Sequence, residues 1–239
     1  MDHKTIHLHP TAELAERVLL PGDPGRALAL AQLLMEKPLM FNHHRGLWGY
    51  TGRAADGELL TIQSTGMGGP SAAIVLHELA TLGVRQAIRV GTCGALNGRL
   101  ELGQLLVASE AIAADGTSQA LGAGERVAAD PRLTEALDRA GATHSPSRVG
   151  GGPQTVVSTD LFYEPHPQRE RDWRAAGAAA VEMEAASLFT VGARLGVPVG
   201  CMLVVTDLLD ESARRRIEES ALLEAAEAMG RSATAALSG

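Results

Sequence analysis

A chain of 239 residues that is 45% hydrophobic and 21% charged can bury a sizeable core and carries none of the compositional marks of disorder. Its formal net charge of −7 argues against a nucleic-acid partner, so an anionic substrate would need a local positive pocket. The longest apolar runs, such as Val197 to Val205, are broken by Pro198 and Gly200 and fall short of the ~20 residues that a membrane helix needs.

The start, Met1-Asp2-His3-Lys4, lacks the basic opening and apolar centre of a signal peptide, which makes the cytoplasm the expected location. Cys93 and Cys201 are far apart and form no CxxC, so both read as free thiols rather than as a disulfide or zinc ribbon. No Pro/Gly/Ser-rich linker interrupts the chain, and one domain over 1–239 is expected.

In chain order, Arg17–Leu20 is the first short apolar strand, and Pro21-Gly22-Asp23-Pro24-Gly25-Arg26 turns it into a helix. Such a turn aims backbone N–H groups at an anion, and Arg26 would add charge; a plain structural turn reads the same way. Asn42-His43-His44-Arg45-Gly46 offers a second arginine. His43 and His44 could join His7 and His9 as metal ligands, but adjacent histidines diverge and no carboxylate or cysteine spacing supports a site, so no metal is expected. Tyr50–Leu60, with Asp56-Gly57 between apolar flanks, reads as a hairpin, and Leu59–Ser64 as a strand.

Thr65-Gly66-Met67-Gly68-Gly69-Pro70 is a second glycine turn opening a helix over Pro70–Leu82, which Gly83 ends. Ala87–Gly91 is a buried strand containing Arg89, followed by Thr92-Cys93-Gly94. A buried arginine needs a partner, so Arg89 faces either a carboxylate or a bound oxyanion. Gln104–Ala108 is another strand.

Val181-Glu182-Met183-Glu184-Ala185-Ala186 sets two carboxylates at the start of a helix running from about Ala185 to Leu195. Glutamates there can serve the helix dipole alone, but the apolar flanks would bury them and leave them needing hydroxyl or amide partners, such as a sugar diol. The strand Pro198–Thr206 ends on Asp207, where open α/β sheets gather active-site groups and where a turn role is also common. Ser212–Leu237, rich in Ala, Glu and Arg, reads as a closing helix with a break near Ser220. Strands alternating with helices, plus a hairpin, give an α/β layered fold with a mixed sheet.

Pro21-Gly22-Asp23-Pro24, Arg45-Gly46, Thr65-Gly66-Met67-Gly68, Arg89-Val90-Gly91-Thr92-Cys93-Gly94, Val181 to Ala186 and Thr206-Asp207 together resemble the nucleoside phosphorylase-I family, in order and spacing over nearly the whole chain. The resemblance is greatest to its bacterial hexameric purine enzymes. It implies a single-domain three-layer α/β/α fold with a twisted mixed central sheet. It also implies reversible cleavage of purine (deoxy)ribonucleosides by inorganic phosphate, without a cofactor, in a homohexamer (a trimer of dimers) whose active sites are shared between subunits.

By the same resemblance Gly22, Arg26, Arg89 and Thr92 would hold phosphate, with Arg45 reaching in from a neighbouring subunit. Met183 and Glu184 match the ribose-binding pair, Cys93, Gly94, Phe162 and Glu182 would line the base and sugar pocket, and His7, with His9 as alternative, would reach the neighbour's 5′-hydroxyl. Asp207 would be the general acid that protonates purine N7, assisted by one of Arg214, Arg215 and Arg216, with Arg216 preferred.

Three other readings compete. Uridine phosphorylase is kept open by Gln168, Arg169 and Arg171, although the short stretch between Phe162 and Glu182 leaves little room for a pyrimidine-reading insertion. A nucleosidase using water would not need Arg26, Arg45 and Arg89, and a silent nucleoside-binding protein would not need Asp207.

Overall fold

Short β-branched or Leu-rich segments separated by capped helices build one continuous sheet with helices on both faces. The computed structural model describes residues 5–145, 151–209 and 214–238. Among these described residues eleven strands follow in chain order: β1 (Arg17–Leu20), β2 (Met35–Asn42), β3 (Gly49–Ala54), β4 (Leu59–Gln63), β5 (Gln86–Ala95), β6 (Leu105–Ala114), β7 (Arg126–Ala128), β8 (Gln154–Thr159), β9 (Ala180–Glu182), β10 (Val199–Leu209) and β11 (Arg214–Arg216). Seven helices alternate with them: α1 (Pro24–Leu34), α2 (Gly69–Leu82), α3 (Gly116–Ala120), α4 (Pro131–His144), α5 (Pro167–Ala175), α6 (Ala185–Leu195) and α7 (Glu219–Leu237).

The sheet runs β11-β10-β6-β8-β9-β5-β1-β4-β3-β2, with β7 on β6. Because β10 also pairs with β5, the strands β10, β6, β8, β9 and β5 close into a ring, and β1 to β4 extend from it as an open wing. The sheet is mixed: β1 runs parallel to β4 and β5, and β5 parallel to β10, whereas β2–β3, β3–β4, β5–β9 and β6–β10 are antiparallel. The Tyr50–Leu60 hairpin is therefore present as β3 and β4.

Two apolar clusters make the three layers. Ala72, Val75, Leu76 and Leu79 of α2 and Leu188, Phe189 and Val191 of α6 cover one face. Ala27, Leu30 and Ala31 of α1, Leu133 and Leu137 of α4 and Met229 and Ala233 of α7 cover the other. Along β5 the side chains alternate between them, Ala87 and Cys93 facing the first cluster and Ile88 and Val90 the second.

Several sequence expectations shift. The closing helix begins at Glu219, not near Ser212, because Arg214–Arg216 turn back and pair with β10; residues 212 and 213 lie outside the described residues. The strand expected over Pro198–Thr206 continues to Leu209, which puts Asp207 inside it rather than after it. Glu182 ends β9 instead of starting a helix, and Glu184 is the residue capping α6. The sequence pattern also missed β2, β7, β8, α4 and α5, and β6 runs six residues beyond the expected Ala108, to Ala114.

Candidate active site

The candidate residues gather where β1, β4, β5 and β10 end, the edge at which α/β sheets place their ligands. β1 and β4 are parallel neighbours, so their following turns lie side by side. Thr65 N–H donates to Pro21 O at 2.8 Å. A Cβ on Gly22 would stand 3.2 Å from Gly66 O, a close approach that favours glycine. Gly66 itself has φ +72°, the left-handed region. Asp23 caps α1 by accepting from Arg26 N–H at 2.6 Å, which holds Arg26 in the first turn of that helix.

Arg89 lies beside this turn, since β5 pairs with β1 in a register that sets Leu20 opposite Arg89. Gly91, two residues on and on the same face, lets the side chain through: a Cβ there would be 2.7 Å from the guanidinium. Arg89 is only 3% exposed, and of the two partners that the sequence left open it faces carboxylates. Its Nε donates to Glu182 Oε2 at 2.9 Å, one terminal nitrogen pairs with Glu184 Oε2, and the other terminal nitrogen is buried with no partner. Desolvation works against its charge, but Glu184 and Glu182 outweigh this and raise its pKa above the ordinary arginine value. A permanently charged buried donor is thus left for an acceptor that the described residues do not supply.

The two glutamates differ in what they have left to offer. Glu182 accepts from Arg89, Ser158, Glu184 N–H and Ala185 N–H, the two amides at 2.9 and 3.0 Å. Burial pushes its pKa up, and Arg89 and these hydrogen bonds pull it back. Among the described residues Glu184 accepts from Arg89 and from Gly68 N–H at 2.6 Å alone, so lone pairs remain for further donors. The Gly68 bond ties the second glycine turn to the start of α6. Met183, between the glutamates, is half-buried.

Burial, opposed by Asp23 and reinforced by the like charge of Arg89, lowers the pKa of Arg26. Its guanidinium has no hydrogen bond or ion pair among the described residues. An anion between Arg26 and Arg89 would relieve both.

Across the ring, β10 pairs Val204 with Thr92 and, after a bulge at Thr206, Asp207 with Gly94. The Thr206 hydroxyl is 2.8 Å from Asp207 Oδ2 and 3.3 Å from Cys93 O. Gly94 also pairs with Val181 of β9, which places the β5, β9 and β10 contributions together. Cys93 is buried, and desolvation, with Glu182 and Asp207 nearby, pushes its thiol pKa well up, so it is a wall rather than a nucleophile.

Of the three arginines of β11, Arg216 lies opposite Asp207, with Nη1 3.8 Å from Oδ1; Arg214 pairs with Glu170 at 2.7 Å. Arg215 lines a separate cavity of about 870 Å³ with Leu96, Asn97, Leu100, Arg174 and Leu209. Of the candidate residues, Arg215 alone lines that cavity.

Three candidates are not drawn into this cluster. Phe162 is 60% exposed and stacks edge-on against Tyr163. Arg45, exposed with φ +59° in the short 3₁₀ turn His44–Gly46, has no side-chain partner among the described residues. His7 is held by Glu78 in α2, nine residues or ~13 Å along the helix from Gly69, away from the Gly68–Glu184 contact. His9 stacks on His44 with ring centroids 3.9 Å apart, its Nε2 3.2 Å from Ile6 O.

Gln168, Arg169 and Arg171, which kept a pyrimidine reading open, bond to Asp172, Glu164 and Gln168 on or beside α5. Sequence reasoning missed Ser158, Gly68 N–H and Thr206 as partners of the candidate carboxylates Glu182, Glu184 and Asp207. Ser158 lies on β8, a strand that the sequence pattern missed, so no signal pointed to it. Among the described residues no group of three or more His, Cys, Asp or Glu is placed to hold a metal ion, and no helix is long and apolar enough to cross a membrane.

Residues 16–238 match the model of the Phosphorylase superfamily, and the chain belongs to that family. It is 37% identical to a DeoD-type purine nucleoside phosphorylase of Caldanaerobacter subterraneus subsp. tengcongensis, over 82% of this chain and 84% of that protein. A protein of the same description from Geobacillus kaustophilus is 36% identical over 82% and 83% of the two chains. A guanosine phosphorylase of Halorubrum lacusprofundi is 36% identical over 81% and 78%.

Proposed function

We propose that this chain is a purine nucleoside phosphorylase, a pentosyltransferase that exchanges the base of a purine nucleoside for phosphate. The observation that carries this reading is Arg89: a buried guanidinium with two nitrogens on glutamates and the third unpaired, beside a glycine turn and Arg26. A water nucleophile brings no negative charge to meet Arg26 and the unpaired Arg89 donor. Phosphate between Arg26, Arg89, Thr92 and the Gly22 turn would take up the unpaired donor. Glu184, with acceptors to spare, suits the ribose hydroxyls beside it, and Met183 would pack on the sugar.

As the bond to the base loosens, a ribosyl cation forms between the phosphate and the carboxylates, so position and electrostatics supply most of the rate. The purine leaves as a neutral base only if N7 gains a proton. Asp207, held by Thr206 and faced by Arg216, is the group that would give it, and it must enter the complex protonated to do so.

The same reading makes the enzyme a cytoplasmic homohexamer built as a trimer of dimers, needing no cofactor besides phosphate as co-substrate. His7 and Arg45 would then complete the neighbour's site, which fits their position outside the cluster in their own subunit. Exposed Ile6, Trp48 and Met40 flank them in sequence, as an interface would require. Phe162 would close over the base from its exposed position.

The test is to incubate the protein with adenosine, inosine, guanosine and uridine, each with and without phosphate, and to identify the products. Purine cleavage should require phosphate or arsenate and yield ribose 1-phosphate in the phosphate reaction. Equal turnover in phosphate-free buffer would replace this reading with a nucleosidase, and uridine as the best substrate would replace it with a uridine phosphorylase.

A further inference from the structure

One carboxylate outside the catalytic cluster collects an unusual set of donors. Glu78, in the second half of α2, is only 9% exposed. Its Oε1 accepts from Ile6 N–H at 3.1 Å and its Oε2 from Leu8 N–H at 2.8 Å, while His7 N–H lies 3.1 and 3.0 Å from the two oxygens. The ring Nδ1 of His7 is 2.7 Å from Oε1. Three successive backbone amides and one ring nitrogen therefore converge on a single side chain, like the nest that a backbone forms around an anion.

Desolvation opposes the charge of Glu78, but His7 and the amides more than offset it and hold its pKa below the usual carboxylate value. Ile6, by contrast, is 72% exposed, so at Ile6 and His7 the chain is held by polar contacts rather than by apolar burial. Leu8 alone is packed into the core.

We propose that Glu78 is a positioning residue that fixes the backbone and ring of His7, so that His7 Nε2 is presented as an acceptor to the nucleoside 5′-hydroxyl in the neighbouring subunit. The inference rests on the reading of His7 given above. An ionised carboxylate beside Nδ1 selects the tautomer that carries the proton on Nδ1, which leaves Nε2 with its lone pair. Nε2 has no partner among the described residues. His9, whose ring is stacked on His44 and whose Nε2 faces Ile6 O, is not free in the same way.

Glu78→Gln tests this, because an amide of the same shape has one acceptor oxygen and an NH₂ that cannot accept from the converging donors. The readout is the selectivity of kcat/KM for inosine over 5′-deoxyinosine, in wild type, E78Q, H7Q and the double variant. General loosening of the fold or assembly lowers both substrates and leaves that ratio alone. Both single variants should lower the ratio roughly tenfold, the scale of one hydrogen bond, and the double variant should lower it no further.

A lowered ratio in H7Q with an unchanged ratio in E78Q would show that His7 reads the hydroxyl unaided, and would overturn the role of Glu78 alone. An unchanged ratio in H7Q would overturn both the role of Glu78 and the reading of His7. Should E78Q fail to fold, ¹⁵N spectra of the wild-type histidines, with His7 assigned by its loss in H7Q, decide the matter. The Nδ1–H tautomer is expected, and the Nε2–H tautomer would refute the proposal.

Discussion

At the scale of single residues, the proposed acid Asp207 and the Arg17–Asp56 pair answer to different measurements. Asp207→Asn is nearly isosteric, yet its amide has no transferable proton. It can still donate to N7 or to the 6-oxo group of inosine, whereas the 6-amino group of adenosine offers donors. Proton transfer to a leaving group contributes about 10²–10⁴-fold, so kcat should fall on both substrates and further on adenosine. Steady-state kinetics on the two nucleosides decides it, and near-wild-type kcat on both would remove Asp207 as the acid. A different carboxylate answers to stability. Arg17, only 7% exposed, holds Asp56 through two hydrogen bonds of 2.6 and 2.7 Å, and Ser238 joins them from the chain's last turn. Its hydrogen bond to Arg17 depresses the pKa of Asp56, so the stabilisation is present above the ordinary value of about 3.9 and disappears as pH falls through the lower folded value. Asp56→Asn should cost roughly 1 kcal/mol at pH 7, a modest figure because Asp56 is largely exposed. Denaturant melts from pH 7 down to pH 3 should show the gap between wild type and variant closing below about pH 4; a gap that stays constant would mean that the charge is not what Arg17 stabilises.

Between secondary-structure elements the site depends on how closely two helix N-termini approach. A Cβ on Gly69, at the start of α2, would stand 2.4 Å from Ser187 Oγ in α6 and 3.0 Å from Asp115 Oδ2. Asp115 is buried and already accepts from Ser187 at 2.7 Å and from Ser118 N–H at 2.8 Å, so neither neighbour can retreat cheaply. Gly69→Ala should push the two helix starts apart, stretch the Gly68–Glu184 bond, cost about 1–3 kcal/mol of stability and raise KM for the nucleoside. Thermal melts and kinetics on the same preparation check it; a variant with unchanged KM would uncouple the start of α2 from the ribose role proposed for Glu184. The elements legible in the sequence were those that carry their own punctuation: the two glycine turns, the Asp56-Gly57 hairpin, and the helix from Gly69 that Gly83 ends in the left-handed conformation. Less legible were β8 and β9, whose pairing partners come from distant segments and whose short apolar runs resemble any buried stretch. The helix propensity of the Ala-, Glu- and Arg-rich end hid β11, where three exposed arginines are held in a strand only by pairing with β10. The site fared similarly. Arg89 and Glu184 could be named because a charge among apolar neighbours must have a partner, and Asp207 because it was expected where an apolar strand ends. Ser158, Thr206 and Glu78 are ordinary residues until the fold brings them to a carboxylate or a ring.

For the whole molecule, the question is whether one chain contains a complete site. Arg26, Arg89, Glu184 and Asp207 belong to one cluster in one subunit, while Arg45 stands exposed without a partner among the described residues and His7 is held at the other end of α2. If a two-fold pair of subunits exchanges Arg45, a site needs Asp207 from one chain and Arg45 from the other. Arg45→Ala and Asp207→Ala homo-oligomers should each be severely impaired. In a mixed pair, the site that keeps Asp207 receives Arg45 from the Asp207→Ala partner and is intact, and the second site carries both defects. Random reassociation of equal amounts makes half of the pairs mixed and restores about a quarter of all sites. Differently tagged subunits, dissociated, recombined and checked by native mass spectrometry, should therefore recover roughly a quarter of wild-type activity. If Arg45 serves its own subunit, every site in every mixture keeps one defect, and verified mixed assemblies will be no more active than their parents.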